Sequence, residues 1–185
     1  MQLNIHRLCR EGSRALGPGL RYVVWTQGCP FRCKGCLTPG GHADEPAMMV
    51  DCQALAADIA SRGKLSGLTI SGGEPFLQAE ALAEVVRLLR GRRPEMSVIV
   101  FTGYRIEDLT QPAHRQLLAL TDLLVDGPYV EELNDGRGLR GSSNQRLHFL
   151  SDRLTDSRSE LEEGKRRLEM IVSNKEIIQI GIPNK

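Results

Sequence analysis

The sequence predicts an α/β protein built of parallel strands with helices on their outside. Three observations lead there. Short apolar runs are bounded by glycine or proline, helical periodicity fills the stretches between them, and a polar or glycine-rich turn follows each run. Strand, loop and helix in repetition is the pattern that βα units produce, and it argues for a parallel sheet.

Taken in order, Leu3, Ile5 and Leu8 among polar neighbours predict a short strand over 2–8. Gly12 to Gly19 contains Gly-Pro-Gly and reads as a loop. Tyr22 to Trp25 is a continuous apolar run, as expected of a strand buried on both faces. A cysteine-rich loop follows it. Leu55, Ile59 and the alanines between Val50 and Ala60 share one helical face, and Gly63 ends that helix. Leu68 to Ser71 is a second buried strand that runs directly into Gly72-Gly73-Glu74-Pro75. Gln78 to Leu89 is the clearest helix, with Leu82, Val85, Val86 and Leu89 on one stripe. Met96 to Phe101 gives a third strand, Ala113 to Leu120 a helix, and Leu123 to Val125 a fourth strand ending at Asp126-Gly127-Pro128. Residues 131–145 read as polar loop, and Thr155 to Leu168 as a short helix with a turn. The tail, Arg167 to Val172 and Glu176 to Ile182 around Ser173-Asn174-Lys175, alternates apolar and polar and reads as a β-hairpin. Each turn of interest falls at the C-terminal end of a strand, where α/β proteins place their ligands.

A chain of 185 residues with 41% apolar and 25% charged residues is ordinary for a globular domain. Its net charge of +1 gives no argument for nucleic acid. No apolar run approaches the roughly 20 residues of a membrane helix, and the N-terminus lacks the apolar core of a signal peptide. The expectation is a cytoplasmic protein with neither membrane nor direct nucleic-acid partners.

The five cysteines do not look like a disulfide framework, being odd in number with three crowded together. Cys9 and Cys52 stand apart and read as small semi-buried residues. Cys29, Cys33 and Cys36 are spaced Cys-x3-Cys-x2-Cys, and thiolates so arranged select zinc, copper(I) or an iron–sulfur cluster. Three are one too few for a closed tetrahedral zinc site. They also leave one iron of a four-iron cubane without a protein ligand. Gly72-Gly73-Glu74-Pro75 is the second feature. Two glycines permit close backbone approach, and the adjacent carboxylate can accept hydrogen bonds from an ammonium group. Alone, that stretch equally suits a plain strand-to-helix turn with Pro75 at a helix start. The four histidines are scattered, and His42, near the cysteine loop, reads as a polar loop residue.

Together the two motifs resemble the radical S-adenosylmethionine superfamily over roughly residues 20–150. Within it the chain is most similar to activating enzymes of glycyl radical enzymes, in particular those of anaerobic ribonucleotide reductase. The supporting residues are Thr26-Gln27-Gly28-Cys29, Gly35 beside Cys36, Phe101-Thr102-Gly103-Tyr104, Asp126-Gly127-Pro128-Tyr129, and above all Arg140-Gly141-Ser142-Ser143-Asn144-Gln145. The chain departs from that branch in Leu37-Thr38 and in Pro128.

The resemblance implies a partial (β/α) barrel as a core at 1–150. It does not explain the hairpin-like stretch at 151–185, which is expected to be a C-terminal extension packed on that core. Cys29, Cys33 and Cys36 would hold a [4Fe-4S] cluster whose open iron binds S-adenosylmethionine. Gly72, Gly73 and Glu74 would receive its amino group, Gly35 and Leu37 would lie near the adenine, and Thr102 and Asp126 would make ribose or supporting contacts. Reductive cleavage would yield a 5′-deoxyadenosyl radical that takes a hydrogen atom from a glycine on a partner such as anaerobic ribonucleotide reductase. A one-electron donor such as flavodoxin or ferredoxin is implied as well. No general base is nominated, because the cofactor carries the hard chemistry. Two alternatives stand beside this reading: radical chemistry on another peptide or small molecule, and a metal-binding module without catalysis.

Overall fold

The computed structural model describes residues 1–172 and 177–184. In chain order the elements are β1 (Gln2–Ser13), β2 (Arg21–Thr26), β3 (Met48–Asp51), α1 (Cys52–Ser61), β4 (Gly67–Gly72), α2 (Ala79–Arg92), β5 (Ser97–Phe101), α3 (Pro112–Leu120), β6 (Leu123–Asp126), β7 (Arg146–Phe149), α4 (Arg158–Glu163), β8 (Glu169–Val172) and β9 (Ile177–Ile180). Seven strands form one sheet in the order β3-β1-β2-β4-β5-β6-β7, and β8 with β9 forms a separate two-stranded sheet. Strands β2, β4, β5 and β6 run parallel, while β1, β3 and β7 join antiparallel at the flanks.

The four buried strands and three main helices stand where the periodicity predicts. The antiparallel flanks do not follow from it. β1 runs on to Ser13, with irregular register at Ile5/Arg7 and Cys9/Ser13, so the predicted loop begins later than Gly12. Val50 belongs to β3 rather than to a helix, and helix α1 starts after Asp51, whose carboxylate accepts from the Gln53 and Ala54 N–H groups. An acceptor at that position satisfies amides that the first helical turn leaves unpaired. β7 follows the polar loop directly. Edge strands such as β3 and β7 bury little of either face, so they lack the continuous apolar run that marks a central strand. The tail forms the predicted hairpin, pairing Glu169 with Ile180 through Val172 with Ile177; its expected turn, Ser173-Asn174-Lys175, lies outside the described residues.

Alternation along the strands divides the core in two. Tyr22, Val24, Leu68, Ile70, Val98, Val100 and Leu124 point to the face covered by α1, α2 and α3. Val23 and Trp25 point the other way, onto Ala15, Leu16, Ile180 and Ile182. Ile99, Leu123 and Val125 share that second face and meet Leu139, Leu154 and Leu161. The helices thus cover one side of the sheet, and loops, α4 and the C-terminal hairpin cover the other.

Arg21 begins β2 on the second face and is completely buried. Its Nε donates to Thr69 Oγ1 at 2.7 Å, Nη1 to Ser97 Oγ at 2.8 Å, and Nη2 to the carbonyls of Leu68 and Ser97 at 2.8 and 2.9 Å. One guanidinium therefore ties the N-terminal ends of three parallel strands, opposite the end that carries the functional loops. Burial pushes its pKa down to about 9, with Asp122 opposing. Gly67 must be glycine here, since a Cβ would stand 2.2 Å from Arg21 Nη1.

Arg21→Ala is expected to lower the free energy of unfolding by about 3–5 kcal/mol, because it strands buried acceptors on β4 and β5 at once and unties both from β2. Denaturant unfolding followed by circular dichroism measures this, and a loss under about 1 kcal/mol would contradict the bolting role.

Candidate metal centre

β2 and β4 pair in parallel through Thr26 and Gly72, which brings the two sequence motifs side by side at the C-terminal ends of adjacent strands. Backbone bonds then lock the loops together. The Gly73 N–H donates to Thr26 O at 2.7 Å, Glu74 N–H to Gly28 O at 2.7 Å, and Gly28 N–H to Gly41 O at 2.9 Å. A Cβ at Gly72 would stand 2.4 Å from Thr26 N, and one at Gly73 2.2 Å from Gly28 O. The two glycines are required first of all by this protein's own backbone.

The interlocked loops enclose a cavity of about 350 Å³, within the range of small-molecule sites. Cys29, Cys33, Cys36, Leu37, Gly72, Gly73, Glu74 and Thr102 all line it. Gly35 and Asp126 are not among its lining residues. Gly35 sits at φ 70° with Glu131 against it. Asp126 is fully buried and accepts from Arg146 Nε at 3.0 Å and the Ile106 N–H at 2.7 Å. Burial opposes ionisation of Asp126, but Arg146 and that N–H outweigh it and hold the carboxyl below the usual range.

Glu74 is 1% exposed. Oε1 accepts from the Phe76 N–H at 2.9 Å and Thr102 Oγ1 at 2.7 Å, and Oε2 accepts from the Gly103 N–H at 2.8 Å. The carboxyl thus joins the turn after β4 to the turn after β5. Burial raises its pKa to about 7 against the pull of those donors. Three hydrogen bonds leave a carboxylate with accepting capacity in reserve.

The thiols suit a soft centre. Burial pushes Cys29 and Cys33 up, opposed by the N–H groups of Phe31 and Arg32 at the first sulfur and of Tyr129 at the second. Amides aimed at sulfur are the bonds that tune a ligated cluster. Among the described residues no three His, Cys, Asp or Glu side chains gather as a single metal ion requires. A cubane asks for less convergence, since each thiolate takes a different iron.

Tyr129 reaches Cys33 because of a stretch whose sequence gives no geometric hint. Gln145 Nε2 donates to Gly127 O at 2.7 Å, Asn144 Nδ2 to Pro128 O at 2.8 Å, and the Val130 N–H donates to Ser142 Oγ at 3.1 Å. Gln145 Oε1 in turn accepts from the Gly141 N–H at 2.8 Å. The Arg140–Gln145 motif therefore works as a brace for 127–130. Tyr129, part of the Asp126–Tyr129 motif, lines the cavity too. Other lining residues carry no signal in the sequence: His6 and Arg7 from β1, and Ile177 to Gln179 with Gly181 and Ile182 from the tail. His42 also lines the cavity.

A family model described as "4Fe-4S single cluster domain" matches residues 15–148. The chain belongs to this family. Its relatives include the anaerobic ribonucleoside-triphosphate reductase-activating proteins of Enterobacteria phage T4, 33% identical over 141 residues (74% of this chain and 88% of that one), and of Escherichia coli strain K12, 32% identical over 142 residues (72% and 91%). The pyruvate formate-lyase-activating enzyme of Staphylococcus epidermidis is 39% identical over 83 residues, 40% of this chain and 32% of that enzyme. The iron–sulfur family thus agrees with the radical S-adenosylmethionine resemblance of the motifs. No helix among the described residues is long and apolar enough to cross a membrane.

Because Glu74 binds its proton more tightly in the fold than a glutamate does at its ordinary pKa of 4.5, it favours the fold at low pH. Its contribution is lost as pH rises from about 4.5 to about 7. Wild type is expected to lose stability relative to Glu74→Gln across that window, measured as paired denaturant midpoints. A constant difference between the two proteins would contradict the raised pKa.

Proposed function

We propose that this protein is a radical S-adenosylmethionine activating enzyme that generates a glycyl radical on an anaerobic ribonucleoside-triphosphate reductase. The observation that carries the reading is that three thiols and the Gly72–Glu74 turn line one cavity in a chain whose relatives bear that activating name. Cys29, Cys33 and Cys36 would hold a [4Fe-4S] cluster, with S-adenosylmethionine on the remaining iron. Such a cluster, when bound, would supply the electron for cleaving the sulfonium to methionine and a 5′-deoxyadenosyl radical able to take a hydrogen atom from a glycine Cα.

The chain's own residues bind and orient. Glu74 offers its remaining accepting capacity to the cofactor's ammonium group, which would draw the carboxyl toward its charged form. Thr102 and the Gly103 N–H fix that carboxyl rather than leaving it to swing. Gly72 and Gly73 keep the turn close against β2, and Leu37 and Phe31 supply apolar surface to the cavity. Phe31 is itself held edge-on by Tyr104 at 4.8 Å between ring centres. Gly35 and Asp126 act at one remove, Gly35 by making room for Glu131 and Asp126 by fixing the end of β6. A carbon radical attacks nearby C–H bonds with little selectivity, so fixed geometry matters here more than acid–base groups.

The reading includes a curl of the sheet into a partial (β/α) barrel, with 1–150 as the core and 151–185 as an extension on it. It also includes a flavodoxin or ferredoxin as electron donor and a cytoplasmic location.

Anaerobic reconstitution with iron and sulfide, followed by reductant and S-adenosylmethionine, is expected to give 5′-deoxyadenosine; its absence with all three cysteines intact would refute the proposal. Replacing Cys29, Cys33 or Cys36 by alanine is expected to abolish bound four-iron cluster and product together. Cys9→Ser and Cys52→Ser, at positions buried in the apolar core, are expected to keep the cluster signal in electron paramagnetic resonance.

A further inference from the structure

The C-terminal hairpin lies beyond residues 15–148 of the family match, yet it walls the same cavity. Ile177, Ile178 and Gln179 of β9 line it, followed by Gly181 and Ile182, and no residue of β8 does. Successive strand residues point to opposite faces. Three in a row bordering one space is the pattern of a space that runs along the strand's edge rather than beneath one face. The other edge of β9 is taken by β8, and that sheet has two strands. Among the described residues, the backbone of Ile177–Ile180 has no hydrogen-bond partner outside the hairpin.

The edge is held in place. Glu169 accepts from Ser13 Oγ at 2.6 Å and from the Arg14 N–H at 3.1 Å. Ile180 and Ile182 are buried beside Val23 and Trp25. Pro183 O accepts from Arg166 Nη1 at 3.0 Å and from Asn134 Nδ2 at 3.2 Å. Arg166 continues to Arg140 O at 2.6 Å, which joins the tail to the brace behind Tyr129. At this fixed row of N–H and C=O groups Ile177 is more than half exposed, as are Met170 and Val172 on the neighbouring β8. A free, apolar strand edge of this kind is a template for another chain.

We propose that the free edge of β9 receives an extended segment of the partner polypeptide by strand addition, seating its glycine Cα at the cysteine-lined mouth. This rests on the activating function above and specifies how the polypeptide substrate is gripped. Glycine has no side chain to hold, so a segment centred on one is best gripped through its main chain. Strand addition supplies that grip, with side-chain pockets serving for selectivity. Ile177 provides apolar surface at that edge for a side chain flanking the glycine, and Val172 and Met170 of β8 continue the same face behind it.

Hydrogen–deuterium exchange of the full-length, reconstituted protein tests the proposal, with the anaerobic ribonucleoside-triphosphate reductase chain as the probe. Amides of Ile177–Ile180 are expected to exchange at least tenfold more slowly with saturating reductase than without it. Unchanged exchange there, while a glycyl radical still forms, overturns the proposal. So does protection that grows with the protein's own concentration in the absence of reductase, which would mean that a second copy covers the edge. A protein that makes no 5′-deoxyadenosine at all instead refutes the functional reading, and is told apart by that product assay alone.

Discussion

The site depends on one steric constraint: the turn after β4 must pass within hydrogen-bonding distance of the loop after β2. Gly73 and Glu74 donate to Thr26 and Gly28, and Gly28 donates onward to Gly41. Any side chain at 72 or 73 would drive a carbon into the backbone of β2 or of Gly28. Overpacking of that order costs about 1–3 kcal/mol even in a core that can relax, and here the obstruction is backbone. The cysteine loop therefore has one available position, directly over the parallel strand ends.

Glu74 extends the same lock to the next strand. A buried carboxyl is expensive unless it is hydrogen-bonded, and this one is met by two backbone amides and a threonine hydroxyl. The residue that the motif offers for recognising an ammonium group thus also sets the spacing between β4 and β5. At the far ends of β2, β4 and β5, Arg21 does the corresponding work with donors in place of acceptors. The parallel core is pinned at both ends by one charged group each.

On the remaining side, Cys33 is reached by an amide that lies 96 residues later in the chain, that of Tyr129. The Arg140–Gln145 motif holds that amide's loop, and Arg166 links the motif to the tail. A stretch that reads in sequence as polar loop is thereby part of the wall around the thiols.

The sequence by itself determined the parallel strands, the three helices that cover one face, the three thiols and the Gly-Gly-Glu turn. Each of these is local: burial on both faces writes an apolar run, one-sided burial writes a helical stripe, and ligand spacing is read along a single loop. It did not determine β3 and β7, whose half-exposed residues leave no such run. Nor did it show that Asp126 is engaged by Arg146 instead of facing the cavity, or that His6, Ile177 to Gln179, Gly181 and Ile182 border the site. Those facts arise from pairings between residues far apart in the chain, where neither partner's neighbours carry the pattern. Tertiary structure alone decided them, because register and sheet order fix which distant side chains share a space.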